Sequence, residues 1–181
     1  LSASQTGISF TNTLHKAPLF NILYYLYYYN GAGVAAVDIN NDGLPDLFFT
    51  ANHPGGNKLY LNKGNFNFED ITAAAGIAGN NDWSTGATMA DVNGDGLLDI
   101  YVTCVAGLYE LQGKNELYLN KGNGQFEPVA EKMGLAFAGL GTQAAFFDYD
   151  HDGDLDMYLL NHSKKPHANI VDISKRMVDD A

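Results

Sequence analysis

The chain repeats an acidic nonapeptide three times: "DINNDGLPD" from Asp38, "DVNGDGLLD" from Asp91 and "DYDHDGDLD" from Asp148. The copies start 53 and 57 residues apart, and their flanks repeat with them. A Gly-containing apolar stretch precedes each one ("NGAGVAAV", "STGATMA", "GLGTQAAFF"), and a strand-like run follows ("LFFTAN", "IYVTCV", "MYLLNH"). Farther along, "NKLYLNKGNFNFEDIT" at 57–72 matches "NELYLNKGNGQFEPVA" at 115–130. A period of 40 to 60 residues points to a repeat architecture, because each unit is one supersecondary element that buries its faces only against its neighbours.

Apolar and polar residues alternate at period two through these segments, the pattern of half-buried strands, and "NKGN" supplies residues that tolerate the positive φ of a tight hairpin. One unit therefore holds four strands: a Gly-rich first strand, the acidic loop, a second strand, a variable loop, a third strand, the Asn-Gly hairpin and a fourth strand. Four antiparallel strands per repeat predict an all-β fold, a β-propeller built of blades. The expected organisation is a partial propeller over 1–181: an outer strand of a preceding blade at 8–13, blades at 32–72 and 86–130, half a blade at 141–161 and an irregular insertion at 162–181. Closed propellers need about four to eight blades, so the expectation is a portion of a larger propeller, with the remaining blades coming from the parent chain or from neighbouring subunits. The start at Leu1, without Met, fits a processed or excised piece.

Five aspartates within 148–156 pose an electrostatic problem. Two carboxylates about 5 Å apart repel by roughly 0.8 kcal/mol in water and about 3 kcal/mol at an effective dielectric near 20. A bound cation removes the repulsion. Each loop carries side-chain oxygens at positions 1, 3, 5 and 9, with Gly at position 6 for the sharp turn and a backbone carbonyl available at position 7. The predicted ligands are Asp38, Asn40, Asp42 and Asp46, with Leu44 through its carbonyl; Asp91, Asn93, Asp95 and Asp99, with Leu97; and Asp148, Asp150, Asp152 and Asp156, with Asp154. An all-oxygen set lacks the Cys and paired His that zinc and copper prefer, and calcium accepts six or seven oxygens in flexible arrangements where magnesium insists on an octahedron. About three Ca2+ ions would move the formal charge from −11 to −5.

The EF-hand loop also reads D-x-[DN]-x-[DN]-G, but it requires Glu at position 12 between two helices. Position 12 here is Phe49, Val102 and Leu159, all within strand-like runs. Asp-Asn-Gly clusters also make plain surface turns; three copies at one place in a repeat argue for the metal.

At these residues the chain resembles the FG-GAP or VCBS repeat family, the integrin-alpha-like propellers, and more specifically secreted repeat proteins of the ASPIC/UnbV and cartilage acidic protein type. The resemblance covers Gly31 to Asn161 and implies a seven-bladed propeller with calcium in the hairpin between first and second strands. It also implies an extracellular protein, secreted, at the cell surface or periplasmic. The family's Phe-Gly and Gly-Ala-Pro landmarks are degraded to "YNGAGVAA", "WSTGATMA" and "LGTQAAFF", so an integrin-style ligand site does not carry over.

Composition bounds the partners. A net charge of −11 with ten scattered Lys and Arg argues against nucleic acid and anionic membranes, and no apolar run reaches the ~18 residues of a membrane span. Cys104 alone excludes an intrachain disulfide and sits in the apolar run "IYVTCV" as a buried thiol. "NILYYLYYYNG" at 21–31 reads as an aromatic lead-in strand that packs in the core or between blades, with sugar stacking as the functional alternative, and Trp83 invites the same two readings. His53 and His162 both follow a second strand and fall on one rim.

No nucleophile elbow, zinc-binding His pair, phosphate-cradling loop or pair of catalytic carboxylates is present. The expectation is a non-catalytic calcium-binding module for adhesion or recognition of a protein or glycan at the cell surface. Two alternatives are an accessory propeller of a secreted carbohydrate-active or quinoprotein-like enzyme, and a structural subunit of a surface assembly.

Overall fold

A computed structural model describes residues 1–14 and 20–163. It contains two four-stranded antiparallel sheets and one two-stranded sheet. The first runs β1 (Val34–Val37), β2 (Asp46–Phe49), β3 (Lys58–Asn62) and β4 (Phe68–Asp70), paired in chain order. The second repeats that order with β5 (Ser84–Ala90), β6 (Asp99–Cys104), β7 (Glu116–Asn120) and β8 (Phe126–Pro128). The third pairs β9 (Gly141–Phe147) with β10 (Asp156–Asn161).

The sheets stack face to face because alternate residues of each strand point to opposite sides. Phe48 and Leu59 of the first sheet share a core cluster with Ile100 and Val102 of the second. Tyr101, between those two on β6, and Leu117 of β7 meet Ala144, Phe146 and Met157 of the third sheet. β6 is therefore buried along its whole length, whereas β10, with no sheet beyond it among the described residues, is mostly exposed. This is the stacking of propeller blades.

The innermost strands approach closely. A Cβ on Gly33 would collide with the carbonyl oxygen of Thr85, and one on Gly86 with the side chain of Gln143 and, at 2.5 Å, the carbonyl oxygen of Thr142. Threonine hydroxyls cross the same gaps: Thr50 Oγ1 donates to Thr85 O at 2.6 Å, Thr85 Oγ1 to Gly141 O at 2.8 Å and Thr88 Oγ1 to Ala144 O at 2.6 Å. Up-and-down order puts the acidic hairpins and the Asn-Gly turns at one end of the sheets. The β2–β3 and β6–β7 loops, with the connections between sheets, lie at the other end.

Two expectations are corrected. Residues 8–13 form no strand; they run against the outer face of the first sheet, where Phe10 stacks on Phe49 with centroids 4.7 Å apart and Asn12 Nδ2 donates to Asn52 Oδ1 at 2.7 Å. The tyrosine-rich segment 21–30 is not a lead-in strand but a series of turns. Its Tyr25 and Tyr28 are buried with Phe20, Trp83, Val105, Leu111 and Leu140, the packing role expected of them, while Leu23, Tyr24 and Tyr29 face outward. Adjacent tyrosines leave no single apolar face for a strand to bury, so turns that drop every third or fourth ring into the core fit the sequence better. The irregular insertion expected at 162–181 lies, from residue 164, outside the described residues. Among the described residues no helix is long and apolar enough to cross a membrane.

Candidate metal centre

Each acidic loop closes on itself through its own backbone. In the first, Asp38 accepts from Asp42 N at 3.0 Å and Gly43 N at 2.7 Å, Asn40 Oδ1 accepts from Asp42 N at 3.1 Å, and Asp42 Oδ1 accepts from Leu44 N at 2.9 Å. The second reproduces this with Asp91, Asn93, Asp95, Gly96 and Leu97, its four bonds lying between 2.8 and 3.1 Å. In the third, Asp148 accepts from Asp152 N at 3.1 Å and Gly153 N at 3.2 Å, and Asp152 Oδ1 from Asp154 N at 2.9 Å. Two residues per loop adopt positive φ. At position 6 they are Gly43, Gly96 and Gly153; at position 4 they are Asn41, Gly94 and His151. Asn, Gly and His are the residue types that enter this region most readily. The position-4 requirement was readable from that alignment of types and was missed; the His151 side chain at that position is exposed.

The predicted ligands divide by environment. In the third loop, Asp148, Asp150 and Asp156 bring one carboxylate oxygen each within 4.8 Å of one another. Calcium–oxygen distances are about 2.3 to 2.6 Å, so two ligands on one ion lie no farther apart than about 5 Å; the donor set and its spacing fit a hard cation. Asp152 does not join that group. In the first two loops position 3 is Asn40 or Asn93, whose amide nitrogen donates to Asp42 Oδ2 at 3.1 Å or Asp95 Oδ2 at 2.9 Å. Those carboxamides thus neutralise by hydrogen bonding part of what the third loop leaves as bare charge. Leu44 and Leu97 lie against Gly64 and Gly122 of the Asn-Gly turns, whereas Asp154 is exposed.

Position 9 carries a second role. Asp46 and Asp99 are buried, at 0% and 1% exposure. Asp46 Oδ2 accepts from Ile39 N at 3.0 Å and its Oδ1 from Asn62 N at 2.7 Å. Asp99 does the same with Val92 N at 3.0 Å and Asn120 N at 2.8 Å. Burial pushes both carboxyls above the usual carboxylate range; the two backbone hydrogen bonds oppose it, and the neighbouring loop aspartates add to it. Asp156, in the two-stranded sheet, is exposed and holds Tyr149 N at 2.9 Å. The missed partners are Asn62 and Asn120, the final residues of the two "LYLN" strands, and their recurrence at one place in the repeat was the available signal.

The chain matches the FG-GAP-like repeat model over residues 38–102 and 104–159. It belongs to the FG-GAP-like repeat family. Family membership together with the four-stranded antiparallel sheets identifies the fold as a β-propeller. The chain is similar to cartilage acidic protein 1 of Xenopus tropicalis, 31% identical over 146 residues that cover 78% of this chain and 21% of that protein. It is likewise 31% identical over 137 residues to the Mus musculus protein and 30% over 137 residues to the Homo sapiens protein, covering 74% of this chain and 20% of each. The chain spans about a fifth of the length of these curated relatives.

The two histidines have different surroundings. His162 Nε2 is 2.9 Å from Tyr25 Oη and its ring lies 4.5 Å from that of Tyr27, so it packs with the aromatic cluster. Burial lowers its pKa, with the Ser163 carbonyl acting the other way. His53 forms no such pair; its Nδ1 is buried without a partner.

Proposed function

We propose that this chain is a calcium-stabilised portion of an extracellular propeller that serves adhesion or recognition and catalyses no reaction. The observation that carries the reading is the convergence of Asp148, Asp150 and Asp156 within 4.8 Å on a loop whose backbone closure recurs twice more in the chain. In the third loop those three carboxylates would hold the ion. In the first two, Asp38, Asn40, Asp42 and Asp91, Asn93, Asp95 would supply the oxygens after a small rotation of the carboxamide, with the carbonyls of Leu44, Leu97 and Asp154 at position 7. Asp46 and Asp99 would act chiefly as clamps between strands. The ion supplies positive charge that cancels carboxylate repulsion; the chain supplies a preformed turn.

Weak sites of this kind fill only where calcium is abundant, which supports a location outside the cytoplasm. Thermal unfolding in 1 mM calcium against chelator tests the reading: an upward shift of the midpoint with calcium is expected, and an unchanged midpoint rejects it.

A further inference from the structure

Four buried side-chain nitrogen or oxygen atoms among the described residues have no hydrogen-bond partner, and three of them belong to one neighbourhood: Asn57 Nδ2, Asn81 Nδ2 and Glu116 Oε2. A Cβ on Gly79 would strike Asn57 Nδ2 and come within 3.2 Å of Glu116 Oε2. Gly79, Asn81 and Glu116 also line a cleft of about 780 Å³ between the first and second sheets. It lies at the end opposite the acidic hairpins, walled on one side by the short helix α1 (Thr72–Ala75) and on the other by the approach to β7.

The orientation of these groups is fixed. Asn57 Oδ1 accepts from Ala51 N and Asn81 Oδ1 from Lys114 N, both at 2.9 Å, so the amide nitrogens are the free ends. Glu116 Oε1 accepts from Asn80 N at 3.1 Å and the Tyr118 hydroxyl interacts with the same carboxylate, which leaves acceptor capacity on Oε2. Asn57 and Asn81 are 1% and 3% exposed. A buried donor or acceptor left unmade is destabilising, and each native instance calls for an explanation.

The unpaired set is two donors and one acceptor of opposite character. An anion would meet the Glu116 carboxylate, and a cation would leave the amide of Asn81, the one of the two asparagines that lines the cleft, unmet. A neutral hydroxyl accepts from an amide and donates to a carboxylate at once. Apolar surface from Pro128 and Ala136 lines the same cleft, suited to the carbon face of a ring. Lys114 and Glu131, at the rim, neutralise each other at 2.5 Å. We propose that the cleft is a binding site for a neutral polyhydroxylated ligand, a saccharide, whose hydroxyls pair with Asn81 and Glu116. This names the ligand class within the recognition reading above and rests on it, but does not depend on the metal.

The test uses the full chain on an array of neutral and anionic oligosaccharides, followed by titration calorimetry with the neutral glycan bound best. Two variants accompany it: Asn81→Ala, which removes a free donor, and Ala73→Trp, which fills the cleft from an exposed position. The expected result is binding of a neutral glycan, weakened about tenfold or more in both variants while their calcium-dependent midpoint shift stays as in the wild type. A folded wild type that binds no neutral glycan, binds only sulfated or sialylated ones, or binds neutral glycans equally well in both variants overturns the proposal. So does a glycan-soaked crystal structure with ordered water alone on Asn81 Nδ2. Calcium-insensitive unfolding with glycan binding that Ala73→Trp abolishes would reject the metal reading and uphold this one.

Discussion

The side-chain amide of Asn120 donates from Nδ2 to the carbonyl oxygen of Ile39 at 2.9 Å, tying the end of the third strand of one sheet to the acidic hairpin of its neighbour. Its backbone N–H meanwhile holds Asp99 of its own hairpin at 2.8 Å. One asparagine thus couples two loops that lie 53 residues apart in the repeat.

Asn120→Ala should destabilise the protein by about 1 to 3 kcal/mol, the range for leaving a buried polar partner unpaired. Asn62→Ala should cost less, because the Asn62 amide bonds within its own sheet, donating to Pro45 O at 3.0 Å and accepting from Gly64 N at 2.9 Å, and so ties no second sheet. Urea denaturation of the two variants side by side measures the difference; equal losses would show that the contact between sheets adds nothing.

Calcium should stabilise by mass action. With a dissociation constant near 10 µM and about 1 mM ion, each site contributes roughly 2.7 kcal/mol. Asp150→Ala removes one of the three converging carboxylates from an exposed position and should reduce the stoichiometry by one ion while leaving the other two loops intact. Calorimetric titration counts the ions, and an unchanged count would remove the third loop from the set.

Alanine at Gly86 should be costlier than at any exposed glycine, because the new Cβ meets the Thr142 carbonyl oxygen at 2.5 Å and backbone does not yield as a flexible side chain does. A loss of about 1 to 3 kcal/mol is expected from overpacking. Gly55→Ala, at a position with open space but φ 70°, is the comparison that isolates simple backbone strain.

His162 should give stability that depends on pH. Burial depresses its folded pKa below the ordinary value of about 6.5, so the neutral ring is favoured in the fold. The contribution is complete above the unfolded pKa and is lost as pH falls through the folded one. Thermal midpoints from pH 7.5 downward should therefore drop more in the wild type than in His162→Gln. Parallel pH profiles would contradict this.

Cys104 is 0% exposed, and burial, reinforced by the Glu116 charge, pushes its thiol up to about 12. Iodoacetamide at pH 8 should leave the folded protein unlabelled and modify it only on unfolding, as mass spectrometry would record. Rapid labelling of calcium-loaded protein would show that β6 opens readily.

The four-strand unit was legible because alternation in "NKLYLN" and "NELYLN" and the loop between first and second strands recur together, and periodicity of that kind reports burial directly. The tyrosine-rich segment was not, since runs such as "YYLYYY" have no period and only the tertiary pocket around Trp83 decides which rings enter it. The loops read as three equivalent sets of oxygen ligands, yet Asn40 and Asn93 make the first two differ from the third through hydrogen bonds that depend on side-chain rotation. The clamp roles of Asn62 and Asn120 stayed hidden because they join residues 16 and 21 positions apart across a strand pair, a relation that register rather than local spacing fixes.

The meeting of Gly33 with Thr85 and of Gly86 with Thr142 leaves almost no room for side chains at the hub. Bulk added there would act as a wedge at the apex, and a small displacement on the axis would swing the outer strands through a larger arc. Sequence drift in such a wheel is therefore tolerated at the circumference and resisted at the axle, so surface loops can diversify while the spokes keep their angle.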